Sequence, residues 1–154
     1  MSPRARGPWP GAAVAFKIWP WKAATVTGLL VGGAWFALAA SGGDIKAITI
    51  ASPASLGLVA FFLIGAMTAL AAKPGMAGSV PGTADEQAWA RRHPWAFALW
   101  PALGTAVTVF IVRRTLALWN LEESVLSTAF DGLGRGAAVL VCAALFGMAV
   151  ARRS

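Results

Sequence analysis

Four stretches of this chain are apolar at nearly every position, and each is closed by a proline, a glycine pair or basic residues. The first runs from Ala23 to Ala40, entered through Trp19-Pro20-Trp21-Lys22 and ended by Ser41-Gly42-Gly43-Asp44. The second opens at Ser52-Pro53, with serine suited to the N-cap and proline to the first turn, where its missing N–H costs nothing. It continues to Ala72 and stops at Lys73-Pro74-Gly75. The third follows His93-Pro94, from Trp95 to Val112 ahead of Arg113-Arg114; the fourth starts near Gly136 and reaches Ala151, before Arg152-Arg153. Each run has about 16–20 residues, close to the ~20 that a helix needs to cross a ~30 Å hydrocarbon layer. The fourth is the shortest and borrows a turn from Asp131 to Arg135.

The pattern therefore predicts an all-α integral membrane protein with four transmembrane helices over about 23–40, 53–72, 95–112 and 136–151. Residues 1–22 form a basic, Trp-rich interfacial segment, 23–151 the four-helix domain and 73–94 a cytoplasmic loop. Thr83-Ala84-Asp85-Glu86 fits a capping box, in which hydroxyl and carboxylate each satisfy an orphan N–H, and begins a short helix toward Arg91-Arg92. Asn120-Leu121-Glu122-Glu123 offers the same arrangement ahead of Val125 and Ala129. That places a short amphipathic helix at the outer interface between spans three and four. Lys73 to Gly82 is rich in Gly and Pro and reads as a loop.

Composition agrees with the pattern. Of 154 residues 58% are hydrophobic and only 12% charged, about half the charge that a water-facing surface carries; mean hydropathy is +0.67. The net charge is +7, from 13 Lys+Arg against 6 Asp+Glu. These cations flank the apolar runs, where they set topology and attract anionic headgroups. They do not alternate with aromatics, so nucleic acid is not expected as a partner. The single cysteine, Cys142, cannot form an internal disulfide and reads as a small apolar packer.

Arg4, Arg6, Lys17, Lys22, Lys73, Arg91, Arg92, Arg152 and Arg153 fall on one side of the four spans. Lys46, Arg113, Arg114 and Arg135 fall on the other, with most of the acids. The richer side is expected to be cytoplasmic, with both termini there. Trp9, Trp19, Trp21, Trp89 and Trp95 would form the inner aromatic belt and Trp119 the outer one. A competing reading takes the basic N-terminus, the first run and Ala37-Leu38-Ala39 as a cleaved signal peptide. The run and the leader are both longer than that pattern calls for. Heavy use of Gly, Ala, Arg and Pro points to a bacterial cytoplasmic membrane.

Small residues recur at helix-contact spacing: Gly28 and Gly32 in span one, Gly132, Gly136, Ala143 and Gly147 in span four, and Ala98, Ala102 and Ala106 in span three. Lipid tails are as apolar as leucine, so such ridges promote association by letting backbones approach. Pro101 predicts a kink or a late helix start in span three. Arg113, Arg114, Glu122, Glu123, Asp131 and Arg135 would gather into an external charged cluster able to meet a ligand or partner.

Catalysis has little support. His93 is the only histidine, which removes two-histidine metal sites and His-based triads within one chain. No ionisable residue lies at the middle of a span, and no G-x-x-x-x-G-K phosphate loop is present. The expectation is a non-catalytic, cofactor-free subunit whose partners are the bilayer and other membrane helices, its own or another protein's. The alternative is a small transporter, channel or holin-like pore built by oligomerisation, with Thr25, Thr27, Thr105 and Thr108 as its thin polar lining.

Overall fold

The computed structural model describes residues 10–43, 47–72, 82–118 and 124–152, and among these every regular element is helical. In chain order they are α1 (Pro10–Lys17), α2 (Trp21–Ala40), α3 (Ala47–Ala71), α4 (Ala84–Arg92), α5 (Pro94–Ala117) and α6 (Val125–Ala151). Four of them, α2, α3, α5 and α6, are long and apolar enough to cross a bilayer. The chain is a multi-pass membrane protein by that criterion.

Two span boundaries differ from the sequence expectation. Helix α3 begins at Ala47, so Pro53 lies inside it and Ser52 caps nothing. An interior proline removes one backbone donor, which a membrane helix tolerates when neighbours re-satisfy the freed groups. The carbonyl that Pro53 frees is that of Thr49; two residues on, Ser55 adds a side-chain bond to the Ala51 carbonyl at 2.7 Å. Likewise Pro101 sits buried inside an unbroken α5, and Thr105 donates to its carbonyl at 2.8 Å. At the other boundary, Val125 to Phe130, expected to lie in the interface, form the first turns of α6. Its N-cap is Ser124, whose hydroxyl accepts from Ser127 N–H at 3.1 Å. Residues 120–123, where the second capping box was expected, lie outside the described residues.

Helices α3, α5 and α6 pack against one another and form the body of the bundle, while α2 lies along α3. At the end where α3 stops and α5 starts, α1 and α4 form a cap. The α4 capping box is formed: Glu86 N–H donates to Thr83 Oγ1 at 3.3 Å, and Thr83 N–H to Glu86 Oε2 at 2.9 Å. His93 then closes α4 and opens α5, with Pro94 in the first turn.

Helix α1 has only eight residues, too few to hold itself together without tertiary support. Its support is Gly11, which sits so close to α5 that a Cβ there would lie 2.7 Å from Trp100 Nε1. Just beyond α1, Ile18 and Trp19 are buried. Trp19 is therefore not in an aromatic belt. Its ring fills a notch over Gly65 of α3, where a Cβ would fall 2.8 Å from Cε2, and packs against Phe61 and Phe62 with centroids 5.8 and 6.0 Å away. Trp21 and Trp95 stay about half exposed.

Candidate functional site

The small residues singled out in the sequence lie at helix crossings. On α2, Gly28 and Gly32 face Gly57 of α3: a Cβ on Gly28 would be 2.9 Å from the Gly57 carbonyl oxygen, and one on Gly32 3.1 Å from that of Pro53. On α6, a Cβ on Gly132 would be 2.8 Å from the Ala106 carbonyl oxygen, and one on Gly136 2.7 Å from that of Ala102. Further along, Ala143 is fully buried and Gly147 meets Pro94 of α5 and Leu70 of α3. The obstacles at the first four positions are backbone carbonyls, which cannot swing aside as a long side chain can. All four contacts lie within the chain itself.

Gly57 was not visible in the sequence, being a lone glycine with no partner at four-residue spacing. Gly104, which leaves room for the Phe62 ring, has the same character: a Cβ there would lie 2.9 Å from Phe62 Cζ. In both cases the signal is on the facing helix, and the linear pattern does not say which helix faces which.

The charged residues are brought together in part. Asp131 of α6 accepts from Arg135 Nε at 2.8 Å, one turn along, and its same oxygen lies 3.2 Å from Arg113 Nη1 of α5. The Arg113 side chain is 13% exposed, those of Arg135 and Asp131 27% and 29%. Arg114, one position on, is half-buried. Glu122 and Glu123 lie outside the described residues. Asp131 is six residues into α6, about 9 Å at the helical rise, and Arg113 is four residues from the end of α5, about 6 Å. A guanidinium at that depth needs either water or a counter-charge. Here one carboxylate serves two guanidiniums and ties α5 to α6 at the end opposite the α1–α4 cap.

The cap has an ion pair of its own. Lys17 of α1 donates to Glu86 Oε1 at 3.0 Å, while the other oxygen closes the α4 capping box. Burial pushes the Glu86 carboxyl up, but the Thr83 N–H and the Lys17 ammonium outweigh it, and its pKa sits below the usual 4.5. Gly82, at φ +100°, backs against Ile18 beside this pair.

Some of the hydroxyls within the spans are occupied locally. Ser55, Thr105 and Thr108 each donate to the carbonyl four residues before them, at 2.6–2.8 Å. Among the described residues no three His, Cys, Asp or Glu side chains gather as a metal site would require. Comparison with protein-family models, with curated proteins and with solved structures finds no match to this chain.

Proposed function

We propose that this chain is a non-catalytic subunit that docks by its helices within a larger membrane complex, in the cytoplasmic membrane of a bacterium with both termini in the cytoplasm. The observation that carries this is the contrast between the two sides of α2. One side meets α3 through backbone contacts at Gly28 and Gly32. Most of the rest of the helix is exposed and carries large apolar side chains such as Val26, Leu30 and Leu38, and Ala24 alone is buried on it. A helix held by one seam presents most of its circumference to whatever lies beside it in the bilayer.

Orientation in this proposal rests on the bias of Lys and Arg. The alternative, an oligomeric pore, draws less support, because two of the four hydroxyls that would line a path, Thr105 and Thr108, are already bonded within their own helix. The test is to extract a tagged chain into polymer-bounded native discs and identify what comes with it. Another membrane protein at fixed stoichiometry supports a subunit. Homo-oligomers that conduct ions or release solute from liposomes would favour the pore instead.

A further inference from the structure

Because α2 lies along α3, an open angle remains between α2 and α5, floored by α3. Its upper part is an aromatic crevice of about 310 Å³ lined by Phe16, Trp19, Trp21, Phe62 and Trp100. Its lower part is a groove of about 560 Å³ lined by Gly32, Gly33, Phe36, Ala54 and Leu58. Phe61 borders both, and α5 flanks both, through Pro101 above and Val112 below. The exposed rings of Phe16 and Trp21, 5.2 Å apart, mark the upper mouth.

Charge and length select the occupant. Lys22 follows Trp21 at that mouth, is exposed and has no ionic partner among the described residues. The only other nearby cation in α1, Lys17, is held by Glu86. Helix α2 starts behind Pro20, which makes no side-chain cap, so the positive end of its dipole adds to Lys22. From Thr25 to Phe36 the groove follows eleven residues of helix, about 16 Å at 1.5 Å per residue. That is about half of a ~30 Å hydrocarbon layer, the depth of one leaflet. A quaternary ammonium would suit the rings, but it would sit against an unneutralised lysine.

We propose that this cleft holds one acyl chain of an anionic glycerophospholipid, with the phosphate against Lys22. The proposal is independent of any partner protein. It is tested in nanodiscs carrying a trace of phosphatidylglycerol or phosphatidylcholine with the same photoactivatable mid-chain group, mapping the crosslinked peptides by mass spectrometry. The phosphatidylglycerol probe should label α2 and α3 around Gly33 and Leu58 about fivefold more than the choline probe, the worth of one lysine near an anionic headgroup. Lys22→Gln should erase that preference. A Cβ on Gly33 would meet nothing within 4 Å beyond its own helix backbone, so Gly33→Leu should fill the groove without disturbing the fold and cut labelling several-fold. Gly134→Leu, in equally open surroundings on α6, should leave labelling unchanged. Gly33→Val carries the same test should the leucine variant accumulate poorly. Equal labelling by the two lipids, labelling indifferent to Gly33, or a protein–protein crosslink from the cleft in place of lipid would each overturn the proposal.

Discussion

Gly28 and Gly57 approach so closely that a Cβ on either would lie less than 3 Å from the other's carbonyl oxygen, at 2.9 and 2.8 Å. Both obstacles are backbone, so relief requires α2 and α3 to separate. Gly28→Leu and Gly57→Leu should therefore each cost about 1–3 kcal/mol, the usual range for overpacking. Gly33→Leu, five residues along α2 and in open space, should stay within about 0.5 kcal/mol of the parent. Thermal unfolding in one detergent compares the three. A Gly33 variant as damaged as the Gly57 one would mean that the seam between α2 and α3 lies elsewhere.

Asp131 is the shared counter-charge of Arg113 and Arg135, so the order of damage at this cluster is predictable. Asp131→Asn leaves two guanidiniums without their carboxylate and should destabilise by about 1–3 kcal/mol, less than a fully buried pair because all three groups are partly exposed. Arg135→Gln removes only a same-helix pair and should cost about 0.3–0.5 kcal/mol. Replacing Arg113 by Met and Asp131 by Leu together should cost less than Asp131→Asn alone. A double variant worse than the single would show that the unpaired Arg113 guanidinium is not what makes Asp131→Asn costly.

The contact between α1 and α4 should depend on pH. The Glu86 pKa is depressed in the folded chain, so its ionised form is the one that folding favours. Its contribution is fully present above about pH 4.5 and is lost as the pH falls through the lowered folded value. Hydrogen-exchange protection of α1 and the first turn of α4, corrected for intrinsic rates, should be flat from neutral pH down to about 5 and then decline. In Glu86→Gln it should start lower and stay flat across that window. Unchanged protection in the variant would remove Lys17–Glu86 from the forces holding the cap.

The long elements were legible because lipid imposes a simple rule: about twenty apolar residues with no interior charge. The Thr83–Glu86 capping box was legible because its chemistry is complete within four residues. What escaped depends on neighbours distant in sequence. Pro53 reads as a helix start, since proline suits a first turn, yet α3 continues through it among packed helices. Trp19 reads as an interfacial anchor until Gly65 is seen to offer it a notch. Helix α1 has no strong local signal in Pro-Gly-Ala-Ala-Val-Ala-Phe-Lys and takes its shape from Trp100 and Glu86. The inward ridges Gly28–Gly32 and Gly132–Gly136 were visible as spacing, but which helix each would meet was not.

The most direct test of a subunit role uses the chain's own cysteine. Cys142 is exposed on α6 and is the sole cysteine, so a membrane-permeant thiol crosslinker applied to intact cells reports what stands beside that face. A parallel set places the cysteine instead at Leu30 of α2 in a Cys142→Ser background. The expected result is a discrete adduct of one other membrane protein from at least one of these positions, recovered with the tagged chain in native discs at fixed stoichiometry. A chain recovered alone, with neither position giving any protein adduct above the level of an unrelated membrane control, would contradict a docking role.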